Sequence, residues 1–392
     1  MKIELKTLVV VLSSLFVLSS CSKQDFTENP ALDEASITDD LPAARGKHHG
    51  FYADPNRSGA VYTMDNAMGS NHVIAFNRSK DGTLGKPKMY ATQGGGTGSG
   101  LGSQGSIVSD GEYLYVCNAG SNSISVFKIA GPTLHFVDKA YSQGTMPISL
   151  TVYDNIVYVL NAGGSGNISG FRSYYGHLSF IYGSSQSLST SSAAGGQISF
   201  NNDGDQLVVT EKATNRITTY AVGADGRAGL GTPYPSAGET PFGFGFSADG
   251  DILVSEAFGG APGGSTVTAY SLGTDGSVNT TSGPIATGQT AACWLTVTDD
   301  GDFAYVTNTG SNNVTSFRIS NTGQLQLQNG GNTAAAGAGP IDLDTSEGSI
   351  FVYVLNGGDD SISIFSRRYN GALHPVGTVT GLPASVVGIA AD

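Results

Sequence analysis

The sequence predicts an all-β fold, a seven-bladed β-propeller with four-stranded antiparallel blades. A strand–turn–strand unit, clearest at residues 300–317, recurs seven times. The aromatic residue that closes each copy follows the previous one by 51, 44, 49, 50, 47 and 48 residues, which suits four short strands and their turns. The 56 glycines and the lack of a 3.6-residue hydrophobic period exclude an α-helical solenoid.

Each copy supplies the second and third strands of a blade, and the flanking sequence supplies the inner and outer strands. Proline begins several inner strands, as at Pro147, Pro241 and Pro340. Asp-Gly pairs then mark hairpin turns, because these residues tolerate the positive φ that a two-residue turn needs. The copies end in the runs 73–76, 124–127, 168–171, 217–220, 267–270, 314–317 and 362–365.

The two ends of the repeat region complement each other. Residues 383–390 match an inner strand but have no second strand after them, whereas the first copy begins at its second strand, residues 60–64. We therefore expect the C-terminal strand to join blade one and close the ring, which leaves no open sheet edge around it.

Residues 1–20 have the features of a lipoprotein signal peptide. Lys2 and Lys6 precede an apolar run, residues 8–17, that is short for a transmembrane helix. The next residues, Leu-Ser-Ser-Cys, are typical of a bacterial lipobox and predict lipidation at Cys21, while an ordinary signal peptide with a chance cysteine is the alternative. In the lipoproteins that this segment resembles, Ser22 favours the outer membrane, so we expect a lipid-anchored protein of the bacterial cell envelope.

Residues 21–59 are expected to form a flexible tether, and residues 60–392 the propeller. The net charge is −13 and no basic run appears, so nucleic acid is not an expected partner. The lipid anchor is the expected membrane contact, and we expect a monomer. No cofactor or metal is predicted, because His48 and His49 in the tether lack the further ligands of a defined site.

The candidate site lies at one mouth of the central channel. In an antiparallel blade the second strand ends at the face where the inner strand begins, so both sets of residues meet there. The asparagines at the second-strand ends are expected to hold the following turns through hydrogen bonds to the backbone. The second strands end at Asn118, Asn161, Glu211, Glu256, Asn308 and Asn356, with Asp65 or Asn66 in blade one.

Glu211 and Glu256 interrupt the run of asparagines in two neighbouring blades. Two carboxylates close together raise the pKa of one of them, which prepares a pair for acid and base catalysis, and we predict that role here. The alternative is that both are solvated, or pair with Lys212 and Arg216.

Inner-strand side chains are expected to bind a ligand at the same mouth. Trp294, the single tryptophan, suits stacking on a sugar ring, with packing between blades as the alternative. The long loop 257–265 could cover the mouth. The predicted ligand-binding residues are Gln104, Gln197, Trp294, Lys212, Arg216 and Asp342.

Several other chemistries lack their motifs. The sequence contains no G-x-S-x-G followed by a plausible histidine, no C-x-x-C and no H-E-x-x-H. The Asp-Gly-Asp triplets that begin at Asp203, Asp249 and Asp300 fall at hairpin turns, and we interpret them as turns and not as calcium loops.

The second strands that end in Tyr-Val-x-Asn, each followed by a glycine-containing turn, resemble the repeat of seven-bladed lactonase-type propellers. That group includes bacterial 6-phosphogluconolactonase and fungal carboxymuconate cyclase, and the resemblance covers nearly all of residues 60–392. The four clearest copies are 115–118, 158–161, 305–308 and 353–356.

The resemblance implies a lactonase-like hydrolase or cycloisomerase that acts on a sugar lactone or related cyclic acid. The family's enzymes use His, Arg and Glu around the mouth; Glu211, Glu256 and Arg216 could match them here. His135, His177 and His374 instead fall in or beside outer strands. The alternative function is a non-catalytic envelope lipoprotein that binds a glycan or protein partner through the same face.

Overall fold

The computed structural model describes residues 58–131, 133–331 and 333–392. The predicted signal peptide, Cys21 and nearly all of the tether lie outside these residues. In the described part the chain forms thirty strands and three short 3₁₀ turns, Phe258–Gly260, Gln328–Gly331 and Glu347–Ser349. None of the helices in this part has the length and apolar character that crossing a bilayer requires.

The strands form seven antiparallel sheets in chain order. Blades one to three contain β1 (Gly59–Met64), β2 (His72–Arg78), β3 (Lys88–Ala91); β4 (Ile107–Ser109), β5 (Tyr113–Asn118), β6 (Ser123–Ala130), β7 (Thr133–Tyr141); and β8 (Pro147–Tyr153), β9 (Ile156–Asn161), β10 (Asn167–Tyr174), β11 (His177–Phe180), β12 (Gln186–Ser187). Blades four and five contain β13 (Gly195–Phe200), β14 (Gln206–Glu211), β15 (Arg216–Ala221), β16 (Thr232–Pro235); and β17 (Pro241–Phe246), β18 (Ile252–Glu256), β19 (Thr266–Leu272), β20 (Val278–Ala286).

Blades six and seven complete the ring, and the last strand returns to blade one. They contain β21 (Ala292–Val297), β22 (Phe303–Asn308), β23 (Asn313–Ile319), β24 (Leu325–Leu327), β25 (Ala334–Ala335); and β26 (Pro340–Thr345), β27 (Phe351–Asn356), β28 (Ser361–Arg367), β29 (Leu373–Val379), followed by β30 (Val387–Ala391). The predicted seven four-stranded blades are therefore confirmed, with β12 and β25 as short additions to the outer edges of blades three and six.

Strand β30 closes the ring as the innermost strand of blade one. It pairs antiparallel with β1, which places Tyr62 opposite Ala390 and Thr63 opposite Ile389. The Arg78 guanidinium donates to the main-chain oxygen of Asp392 at 2.8 and 3.0 Å. These contacts fasten the last residues to blade one, as the sequence predicted.

The repeated tyrosine of the second strand joins each of three blades to the next. Its hydroxyl donates to a glycine carbonyl in the next blade, in the turn that connects the third strand to the outer strand. The bond runs from Tyr158 to Gly226 at 2.8 Å and from Tyr353 to Gly82 at 2.9 Å. Tyr305 makes the same bond to Gly371. The turn needs glycine at Gly82, where φ is +85° and a Cβ would overlap the Phe351 ring.

We expect Tyr353→Phe to lower the free energy of unfolding by about 1–2 kcal/mol, because it removes a buried hydrogen bond and leaves the Gly82 carbonyl without its donor. Urea unfolding followed by circular dichroism measures the change. Tyr369→Phe is the matched control, since that ring is 67% exposed. Equal midpoints for Tyr353→Phe and wild type would show that the bond does not support ring closure.

Candidate functional site

The six predicted strand-end residues lie where the sequence placed them. Each is the last residue of its second strand, and each side chain is fully buried. These positions therefore form a ring of buried polar groups around one end of the propeller. They are Asn118, Asn161, Glu211, Glu256, Asn308 and Asn356.

The Nδ2 groups of three of the four asparagines donate to side chains of the third strand and not to the turn backbone, which corrects the predicted partner. The fourth, Asn161, donates to the Ser142 carbonyl at 3.1 Å, before the inner strand of its blade. Asn118 Nδ2 donates to Ser125 Oγ at 2.8 Å, and Asn308 Nδ2 donates to Thr315 Oγ1 at 2.8 Å. The reason is the antiparallel pairing: the amide lies beside the third strand, where Ser and Thr alternate with apolar residues. Their role is structural, as predicted.

Glu256 is surrounded by hydrogen-bond donors. One carboxylate oxygen accepts from Tyr270 Oη at 2.8 Å, from the Gly238 N–H at 2.9 Å and from Ser236 Oγ at 3.0 Å. The other accepts from Thr268 Oγ1 at 2.8 Å and from Thr266 Oγ1. Five donors compensate the loss of water around this buried carboxylate.

Glu211 has an equivalent environment in blade four. Its oxygens accept from the Ser189 N–H, Thr218 Oγ1 and Thr214 Oγ1, each at 2.8 Å, and from Ser189 Oγ. Within the described residues the two glutamates share no donor. The alternative, that both are solvated or pair with Lys212 and Arg216, does not hold, because both carboxylates are buried and accept from other described residues. Their catalytic role stays a prediction, because the structure gives both a structural set of partners.

Gln104 and Gln197 each use their amide to complete the hydrogen bonding of an inner strand. Gln197 bonds both the N–H and the carbonyl of Phe244 at 2.7 and 3.0 Å, and Gln104 does the same for Leu295 at 3.1 and 2.8 Å. The sequence predicted Gln104 in the inner strand, but it lies in the connection before β4. Both amides are therefore already occupied by main-chain groups.

Trp294 packs in the protein interior, which was the alternative to stacking on a sugar. It is 2% exposed, its ring centroid lies 4.9 Å from that of Phe242, and its Nε1–H donates to the Ser103 carbonyl at 3.0 Å. Asp342 is also buried, and burial raises the pKa of its carboxyl well above the usual range. Neither side chain lies on an open surface where a sugar could stack or bind.

A glycine-rich segment, residues 93–105, crosses the channel at this end. Ser103 Oγ donates to the Ile148 carbonyl at 2.7 Å in blade three, and the Gln104 N–H donates to the Gly196 carbonyl at 3.2 Å in blade four. The Trp294 bond reaches the same segment from blade six. The sequence analysis did not single out this segment. The available signal was the long gap between β3, which ends at Ala91, and β4, which begins at Ile107.

Lys212 is held beneath this segment. Its Nζ donates to the Gly102 carbonyl and lies 4.6 Å from the centroid of the Phe242 ring. Burial lowers the pKa of the Lys212 amine to about 8. The Arg216 guanidinium makes no hydrogen bond to other described residues. Loop 257–265 instead contacts the next connection, where the Gly263 N–H donates to Thr290 Oγ1 at 3.0 Å.

The opposite end of the ring contains a cavity of about 630 Å³, where inner strands end and β1 begins. Among the residues that the structure describes, four carboxyl side chains and one guanidinium lie on its wall. They belong to Asp299, Asp344, Glu347, Asp392 and Arg78. The sequence repeat gives no sign of this cavity, because the aligned strand-end residues all lie at the other mouth.

Asp344 is a half-buried carboxyl on the wall of this cavity. Its oxygens accept from the Thr345 N–H at 2.8 Å and the Ala391 N–H at 2.9 Å. Burial raises the pKa of Asp344 to about 7, and the nearby charges of Asp299 and Asp392 add to that rise. The pKa of Asp392 is raised by burial as well, while its carboxylate accepts from Ser109 Oγ at 2.9 Å. The cavity thus contains two carboxyls whose pKa is raised by burial.

Comparison with known proteins agrees with the seven-bladed propeller fold. A model of the family described as lactonase, 7-bladed beta-propeller, matches residues 34–174 and 262–387. No curated protein matches the sequence. A solved protein from Lactobacillus plantarum is 19% identical with a TM-score of 0.70, covering 85% of this chain and 99% of its own.

Two further solved structures carry descriptions of activity. A Bacteroides fragilis protein proposed to be a 6-phosphogluconolactonase is 19% identical, with a TM-score of 0.64 over 86% of this chain and 98% of its own. The periplasmic gluconolactonase of Pseudomonas aeruginosa is 17% identical, with a TM-score of 0.63 over 84% of this chain and 98% of its own. At these identities the likeness shows the fold alone.

Proposed function

Because this chain belongs to the family of lactonases built on a seven-bladed β-propeller, we propose that it hydrolyses an unphosphorylated sugar lactone, or a related cyclic ester, in the cavity around Asp344. The observation that carries this proposal is a half-buried carboxyl with a pKa of about 7 on the wall of a cavity large enough for a sugar ring.

Asp344 is the general base of the proposed reaction. A general base works best when its pKa lies near the operating pH, and a pKa of about 7 meets that condition. Asp344 takes a proton from water as the water oxygen bonds to the lactone carbonyl carbon. The ring C–O bond then breaks and the ring oxygen receives a proton from the protonated carboxyl, which yields the open hydroxy acid.

The charge of the cavity argues for a neutral substrate. Among the described residues on the wall, Asp299, Asp344, Glu347 and Asp392 supply up to four negative charges, whereas one guanidinium, that of Arg78, lies there and bonds the Asp392 main-chain oxygen. Carboxylate oxygens accept hydrogen bonds from sugar hydroxyls but repel a phosphate. The same repulsion favours release of the acid product.

We therefore expect kcat/KM for glucono-1,5-lactone to exceed that for its 6-phosphate by at least about tenfold, since one repulsive contact of roughly 1.4 kcal/mol produces that ratio. The measurement is proton release at pH 7.5, corrected for spontaneous opening of each lactone. Faster turnover of the 6-phosphate would contradict the proposed substrate. No rate above background with any lactone would support the alternative, a non-catalytic lipoprotein that binds a glycan or protein partner.

A further inference from the structure

The turn between β1 and β2, residues 65–71, differs from its counterparts in the other blades. Asp65 follows β1 at the position that holds asparagine or glutamate in the other six blades, and the Asp65 N–H bonds the His72 carbonyl at 3.0 Å. Across the strand pair Asp65 therefore faces an imidazole. In the other blades the facing residues are Ser123, Asn167, Arg216, Thr266, Asn313 and Ser361.

Asp65 and Ser70 of this turn form a hydrogen-bonded chain with His72, the first residue of β2. His72 Nδ1 lies 2.9 Å from Asp65 Oδ2, and His72 Nε2 lies 3.4 Å from Ser70 Oγ. Asp65 is 5% exposed and is fixed by the N–H groups of His72 at 2.8 Å and Ala67 at 3.1 Å. Ser70 is exposed to solvent.

The hydrogen bonds assign the tautomer of His72. An ionised Asp65 can only accept, so the His72 proton lies on Nδ1 and the lone pair of Nε2 faces the Ser70 hydroxyl. The Asp65 carboxylate, the His72 imidazole and the Ser70 hydroxyl are therefore arranged like the orienting acid, the base and the nucleophile of a serine hydrolase. The 3.4 Å separation is long, as such contacts commonly are before substrate binds.

The space around Ser70 is open. Gly69, with φ of +78°, has no atom within 4 Å of where its Cβ would be. The Ser70 N–H donates to no acceptor among the described residues and so is available to a carbonyl oxygen. Met68 is 77% exposed and lies beside Gly98, which provides an apolar contact for a short acyl chain.

We propose that Ser70, His72 and Asp65 form a second catalytic site, one that hydrolyses short-chain carboxylic esters through an acyl-serine. Ser70 Oγ bonds to the ester carbonyl carbon while its proton passes to His72 Nε2. The ester C–O bond breaks, and the imidazolium protonates the leaving alkoxide to give the alcohol. Water then attacks the acyl-serine with the same histidine as base, which releases the carboxylic acid and restores Ser70.

A fluorophosphonate probe tests this site on the intact folded protein, because its phosphorus bonds to an activated serine oxygen as fluoride leaves. We expect mass mapping of the labelled peptide to identify Ser70. Ser70→Ala should lose the label, and His72→Gln should slow labelling by at least about 100-fold, the low end for loss of a general base. Ser165→Ala is the matched control, since Ser165 is an exposed serine in the β9–β10 turn of blade three.

Labelling at Ser70, with loss of p-nitrophenyl acetate hydrolysis in Ser70→Ala, would support the proposal. Absence of label at Ser70, equal labelling of Ser70 and Ser165, or wild-type labelling in His72→Gln would overturn it. Because Ser70 is exposed, its substitution should not unfold the protein, and a urea midpoint checks this. Labelling is measured without lactone, so its outcome is independent of the function proposed for the cavity.

Discussion

Asp344→Asn is expected to lower kcat/KM for a neutral sugar lactone by about 10²–10⁴-fold, the usual contribution of a general base. Asparagine keeps an oxygen that can accept from Thr345 or Ala391, but it cannot take a proton from water. Initial rates with purified wild type and variant measure the effect. Asp154→Asn is the matched control, because Asp154 lies in an exposed turn where φ is +50° and asparagine fits equally well.

The stability of the same variant separates lost chemistry from lost folding. The pKa of Asp344 is about 7 in the folded protein and about 3.9 in the unfolded chain, so the folded state binds more protons between these values. Wild-type stability should therefore fall as pH rises from about 4 to about 7, and Asp344→Asn should lose much of that slope. A variant as stable as wild type at pH 8 and as active as wild type would contradict the assigned base.

Glu256→Ala is expected to lower the free energy of unfolding by on the order of 3–5 kcal/mol. The substitution leaves a cavity and removes the acceptor of five donors, four of them in buried hydrogen bonds, and a buried donor costs free energy when it is unpaired. Urea unfolding measures the change. Glu239→Ala is the matched control, since that neighbouring carboxylate is exposed.

Glutamine variants of both residues, measured for stability and for lactone hydrolysis, decide between the two interpretations of the glutamates. If Glu256→Gln and Glu211→Gln keep the wild-type urea midpoint but lose lactone hydrolysis, the carboxylates act on substrate, as the sequence suggested. If both variants lose stability, and activity falls only in proportion to the folded fraction, the glutamates have the same structural role as the asparagines in the other blades. The environment of Glu256 favours the second result.

The architecture could be predicted because it repeats. A strand, an Asp-Gly turn and a terminal polar residue recur at nearly constant spacing, so each copy supports the assignment of the others. The unpaired strand at residues 383–390 likewise predicted the closure by β30. Positions such as Glu211 and Glu256 were placed at the correct strand ends for the same reason.

The candidate sites could not be predicted, because the burial of a given side chain and the course of a connecting segment do not repeat from blade to blade. The sequence does not show that Trp294 packs on Phe242, or that the glycine-rich segment crosses the channel and bonds it. Asp344 lies two residues after the predicted Asp342 in the same strand, but its pKa depends on its surroundings in the cavity. Ser70, His72 and Asp65 match no motif, since a turn brings them together.

A structure of the protein with a sugar lactam, in which an amide replaces the hydrolysable ring ester, would show whether the substrate binds beside Asp344. We expect the lactam to lie in the cavity with its carbonyl carbon next to a water held by Asp344. A lactam bound at the opposite mouth, against Gln104 and Trp294, would contradict it.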